Sequence, residues 1–150
     1  MHTGHESEKD LISGKRILVV DDDVDLLEQV SSQLREAGCE VIGAGGEREG
    51  EDALLSGRPD LAILDLMMEQ KDSGFVLCHR IKQLYPGTPV ILLTAVTSVT
   101  GLSFAARDSD ARGWVGADLL LDKPVPPERL RQEVRRLLTP APAAPASHTP

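Results

Sequence analysis

Aromatic residues, cysteines, basic charge and long apolar runs are all scarce in this chain, and each scarcity closes off a class of protein. Aromatics are only 3% of the sequence, so a core must be assembled from Leu, Ile, Val and Ala. Cysteine occurs twice, as Cys39 and Cys78, with no CxxC spacing and no histidine at metal-ligand distance. Cys78 and His79 are adjacent, and adjacent helical residues point in different directions. Both thiols are therefore read as small, reduced, apolar residues of an intracellular protein. No apolar stretch approaches a membrane span, and residues 1–14 lack the apolar segment of a signal peptide. A soluble, cytoplasmic chain with no membrane insertion is expected. Lys and Arg number 16 against 24 Asp and Glu, giving a net charge of −8. That sign argues against nucleic acid as a direct partner. It is compatible with a cation held among carboxylates, although acidity that merely aids solubility accounts for most of it.

What the chain does contain is a regular alternation. Its 150 residues and 41% apolar content suit one domain with one core. Residues 1–14 are polar and aperiodic and are read as a flexible lead. Strands are expected at Lys15–Val20, Glu40–Ile42, Asp60–Leu64, Pro89–Thr94 and Asp118–Leu121. Helices are expected between them: Val24–Ala37, stopped by Gly38; Glu47–Ser56; and Gly74–Leu84, with Phe75, Cys78, Ile81 and Leu84 or Tyr85 inward. A last helix spans Pro126–Leu138. Residues 95–117 are the least regular part, interrupted by Gly101, Asp108-Ser109-Asp110 and Gly113. The Pro/Ala-rich tail 140–150 is read as disordered, which leaves 15–139 as the folded domain. Alternating strands and helices imply right-handed crossovers and a parallel sheet covered on both faces. The fold class is thus α/β and flavodoxin-like, with five strands in the order 2-1-3-4-5 as a fold-level expectation.

Chemistry-bearing side chains recur where such sheets place their sites, at the carboxyl ends of the strands. Asp21 and Asp22 follow the first strand, Asp65 the third, Thr94 the fourth and Lys123 the fifth. Asp23 is assigned to capping the first helix. Three clustered carboxylates repel, each close pair costing on the order of 4 kcal/mol at an effective dielectric near 20. Such a cluster persists by holding a proton or a cation, and Mg²⁺ with carboxylate, water and phosphate oxygens suits the second route. Asp65, alone at its strand end, is the best candidate for a nucleophile forming an acyl phosphate. Lys123 can pair with a phosphoryl oxygen, and the Thr94 hydroxyl can donate to another.

VVDDD at 19–23, LDLMM at 64–68, LLTA at 92–95 and DKPV at 122–125 closely resemble the receiver domains of two-component response regulators, over roughly residues 15–139. The resemblance implies that Asp65 accepts a phosphoryl group from a phosphohistidine on a sensor kinase or phosphotransfer protein. It implies that Asp21 and Asp22 organise Mg²⁺, with Asp22, Asp65 and the backbone carbonyl of Met67 as direct ligands. Thr94 would be the switch hydroxyl, Lys123 the phosphate-pairing lysine, and the Lys123–Pro124 bond cis. Such a protein is a phosphoacceptor rather than an enzyme. The chain departs from the family pattern at Glu69, where proline is usual; at Gly74, one position late; and at Leu120, where an aromatic switch residue is usual. Its fourth helix is also atypical. Met67 and Val96, both apolar, are expected to hinder the hydrolytic water and prolong the phosphorylated state.

A stand-alone receiver that signals by partner docking or phosphorelay is the favoured reading, and a receiver cut from a hybrid kinase is its variant. The alternative is an aspartate-nucleophile phosphatase of the haloacid dehalogenase type, to whose first motif Asp21-x-Asp23 is similar. A third reading is a pseudo-receiver that binds partners without phosphorylation. A stable adduct on Asp65 after treatment with acetyl phosphate and Mg²⁺ would mark the first, turnover through Asp21 the second, and no reaction the third.

Overall fold

Alternation of apolar residues along each strand decides the architecture, because successive side chains must enter opposite layers. The computed structural model describes residues 12–66, 73–95 and 117–139. It contains β1 (Arg16–Val20), α1 (Val24–Glu36), β2 (Glu40–Ala44), α2 (Glu47–Ser56) and β3 (Leu61–Asp65). These are followed by α3 (Ser73–Leu84), β4 (Val90–Ala95), β5 (Leu119–Lys123) and α4 (Pro127–Leu138). The strands form one parallel sheet in the order β2-β1-β3-β4-β5, the order expected from the sequence. Leu18, Val20, Ala62, Leu64 and Leu92 pack under α2 and α3 with Leu54, Leu77 and Ile81. Ile17, Val19, Ile63, Ile91 and Leu93 pack under α1 and α4 with Val30, Leu34, Leu130 and Val134.

Helix ends follow their local chemistry. The Asp23 side chain accepts hydrogen bonds from the backbone of Asp25 and Leu26 and so caps α1. Beyond the other end of α1, Gly38 adopts φ +96°, a conformation that favours glycine.

Several expectations need correction. The lead assigned to residues 1–14 reaches too far. Ile12 is buried in the core beneath α1 and α4, and the Gly14 amide donates to the Gly38 carbonyl. The sequence does not announce Ile12, because the adjacent pair Leu11-Ile12 in a polar stretch has no period. On α3, Cys78 and Ile81 are buried and Phe75 and Tyr85 are half-buried against the core as expected, but Leu84 is exposed and Leu77, not expected on the inner face, is fully buried. Val24, the first residue of α1, is exposed. The atypical fourth helix and the tail fall on residues outside those described, as do Glu69, Met67 and Val96.

Both cysteines are buried and form no disulfide, and burial pushes each thiol up to about 11. Neither is ionised near neutrality, which matches their reading as apolar filler.

Candidate functional site

Three strand ends converge on one acidic pocket. Asp21 lies immediately beyond β1, Asp65 is the last residue of β3, and Lys123 is the last residue of β5. Carboxylate oxygens of Asp21, Asp22 and Asp65 all lie within 4.8 Å of one another. Asp21 and Asp65 are buried, while Asp22 faces outward. Lys123 Nζ stands 3.1 Å from Asp65 Oδ1 and 3.4 Å from Asp21 Oδ2. The longer separation makes an ion pair without a well-formed hydrogen bond, and Asp21 Oδ2 is left as a buried oxygen with no hydrogen-bond partner. Among the described residues the Thr94 hydroxyl also has no hydrogen-bond partner, and it is buried. Thr94 stands one position beyond Leu93, the β4 residue in register with Asp65. The Lys123–Pro124 peptide bond is cis, as the resemblance implied.

The charges explain one another. Burial, reinforced by the Asp21 charge, pushes the Asp65 carboxyl up to about 6 against the pull of Lys123. Burial alone would lower the Lys123 ammonium, but Asp21 and Asp65 outweigh it and raise it. One lysine faces three carboxylates, so the pocket has an excess of negative charge. The Asp21 oxygen faced only by Lys123 at 3.4 Å, beside the Asp22 and Asp65 carboxylates, is what a hard cation would satisfy. The residues therefore fit Mg²⁺, which Asp21, Asp22 and Asp65 would hold. Met67, whose carbonyl the resemblance implies as a direct ligand beside Asp22 and Asp65, lies outside the described residues.

Support for these groups comes from contacts that the sequence does not announce. The Asp23 amide donates to Asp21 Oδ1 at 2.9 Å, so the residue that caps α1 also orients Asp21 and leaves its other oxygen for the pocket. Asp23 Oδ1 is engaged as the cap, the role assigned to Asp23 from the sequence. Asp60 accepts from the Arg16 amide, and Asp118 from the Val90 amide and from Lys82 Nζ. These acids sit at the amino ends of the strands and fasten β1 to β3 and β4 to β5. An aspartate just before an apolar run was the available signal.

Gly74 fixes the far side of Asp65. Its amide donates to the Leu66 carbonyl at 2.8 Å. A Cβ there would lie 2.5 Å from Leu66 Cα and 2.6 Å from the Asp65 carbonyl oxygen. Only glycine lets α3 begin this close to the strand end. Gly74→Ala is expected to cost about 1–3 kcal/mol through forced backbone displacement, read as a lower urea midpoint. An unchanged midpoint would show that the contact is not enforced.

Comparison with known proteins agrees with this geometry. A family model described as the response regulator receiver domain matches residues 17–135. The chain belongs to the response regulator receiver family. The receiver is 38% identical over 123 residues to the response regulator MprA of Mycolicibacterium vanbaalenii, covering 82% of this chain and 50% of that protein. It is 34% identical over 124 residues to the DNA-binding response regulator MtrA of Mycolicibacterium paratuberculosis, covering 83% and 51%. The chain thus spans about half the length of these curated relatives. Among solved structures, a CheY-like receiver from Methanospirillum hungatei superposes with a TM-score of 0.70 at 30% identity, covering 84% of this chain and 94% of that one. Thermotoga maritima TrrA, solved in complex with Mg²⁺-BeF, gives 0.66 at 31%, covering 82% and 98%. In this receiver the position of the usual aromatic switch is Leu120, which is half-buried against the cluster containing Leu92 and Ala117. Among the described residues no helix is long and apolar enough to cross a membrane.

Proposed function

We propose that this receiver takes a phosphoryl group onto Asp65 from a phosphohistidine of a sensor histidine kinase or phosphotransfer protein. The transfer would occur in the cytoplasm, with Mg²⁺ bound by Asp21, Asp22, Asp65 and the Met67 carbonyl. The observation that carries this reading is the meeting of the Asp65 carboxylate with Asp21, Asp22 and Lys123 in one pocket. The Mg²⁺-BeF complex of the related TrrA receiver supports it.

In the transfer, an Asp65 oxygen forms a bond to phosphorus as the nitrogen–phosphorus bond of the donor breaks, and the electron pair returns to the imidazole. Asp65 must be ionised to attack, and Lys123 favours that form. Once the phosphoryl group is attached, the Lys123 ammonium pairs with one of its oxygens and the Thr94 hydroxyl donates to another. A bound Mg²⁺ supplies neutralisation of charge between the carboxylates and the incoming group. The domain is a phosphoacceptor that assists its own phosphorylation and dephosphorylation, not a turnover enzyme. At a net charge of −8, its output is assigned to docking of a protein partner or onward phosphorelay rather than to direct DNA contact.

Phosphoramidate, whose nitrogen–phosphorus bond imitates phosphohistidine, tests the reading with the full chain and Mg²⁺. Borohydride reduction followed by peptide mass spectrometry then locates any acyl phosphate. The expected result is one adduct, at Asp65. An adduct on Asp21, continuous release of phosphate through Asp21, or no reaction would each overturn it.

A further inference from the structure

A second organised feature lies on the face covered by α2 and α3. Four large apolar side chains are exposed among the described residues: Val24, Leu55, Val76 and Leu84. Three of these four belong to this neighbouring helix pair, and Leu55 is 73% exposed. The Tyr85 hydroxyl donates to the Leu54 carbonyl at 2.8 Å. That bond ties the carboxyl ends of the two helices together, so Leu55 and Leu84 occupy the same end of the pair.

Except at Arg48, the one basic residue of α2, charge on this face is sorted by helix. Glu51 and Asp52 lie on α2, His79 and Arg80 on α3. None of the four forms an ion pair among the described residues. An acidic helix beside a cationic one, with apolar side chains on both, is self-complementary. A two-fold axis parallel to the helices sets each α2 against the α3 of another copy, and the opposite charges meet twice.

We infer that this face is the contact between two copies of the chain, with Leu55, Val76 and Leu84 supplying its apolar contacts and Asp52 opposite Arg80 its charged ones. The contact is independent of the chemistry at Asp65. The two helices have 10 and 12 residues, hence lengths of about 15 and 18 Å. That footprint is smaller than the roughly 800 Å² per partner of a standard interface, so the dimer forms at high concentration and parts on dilution.

Sedimentation velocity of the full chain from about 10 µM to about 1 mM tests this. The wild type is expected to pass from monomer to dimer within that range, and Leu55→Glu to remain monomeric throughout. Asp52→Arg and Arg80→Glu should each weaken the dimer about tenfold, because symmetry counts each reversed charge twice. The Asp52→Arg/Arg80→Glu double variant should regain it. Circular dichroism melts verify that each variant is folded. A wild type that stays monomeric, a dimer indifferent to Leu55→Glu, or a double variant no better than its singles would overturn the inference.

Discussion

Replacing Asp65 with asparagine should make the metal-free protein more stable at pH 7.5, although it removes the acceptor itself. The sign follows from the carboxyl's affinity for its proton. In the folded chain Asp65 titrates at about 6 rather than the ordinary 3.8, so between those values the native state holds the proton more tightly than the unfolded state. Its contribution to stability is fully present below about pH 4 and is lost as pH rises through about 6. A shift of roughly two units amounts to about 3 kcal/mol. Asparagine keeps the shape and carries no charge, so Asp65→Asn in EDTA should gain about 1–3 kcal/mol at pH 7.5, and the gain should shrink toward pH 4. Urea midpoints across that pH series check it. A wild type more stable than Asp65→Asn at pH 7.5 would mean that Lys123 already neutralises the pocket.

Lys123→Met gives the opposite large effect. Lys123 is the cation paired with both Asp21 and Asp65, each less than a tenth exposed. Removing it leaves two buried carboxylates facing each other, a loss of about 3–5 kcal/mol in metal-free buffer near neutral pH. The alkyl stem of lysine also packs, so lost contact area is a competing cause. Mg²⁺ and acid separate the two. If charge is the cause, added Mg²⁺ or a shift toward pH 4 should restore most of the melting temperature. If packing is the cause, neither should help.

The sequence announces some parts of this site and hides others for definable reasons. Strand order and the convergence of Asp21, Asp22, Asp65 and Lys123 were legible because each residue ends an apolar run, and in a parallel sheet those ends share one edge. The capping role of Asp23 was legible for a local reason, since its partners are two and three residues away. Gly74 was visible only as a glycine one position out of place. Its close approach to Asp65 and Leu66 joins a helix start to a strand end, and no periodicity records such a contact. Asp118 was read as the first residue of a strand, yet its side chain reaches the amide of Val90, 28 residues away in sequence. Ile12 was hidden for the same reason, because its burial depends on α1 and α4 rather than on its neighbours in the chain. Short-range chemistry and the shared edge of strand ends were readable, and side-chain contacts that follow neither pattern were not.

Titration calorimetry with Mg²⁺ alone tests most directly whether the three carboxylates act as one site. The wild type is expected to bind one ion per chain at pH 7.5, with binding weakened at least about tenfold in Asp22→Asn and in Asp65→Asn, each of which removes one charged oxygen ligand. Protons should be taken off the protein as the ion binds, most of them near pH 6, where Asp65 titrates. Binding that survives unchanged in both variants, or no binding to the wild type, would contradict a shared cation site at the ends of β1 and β3.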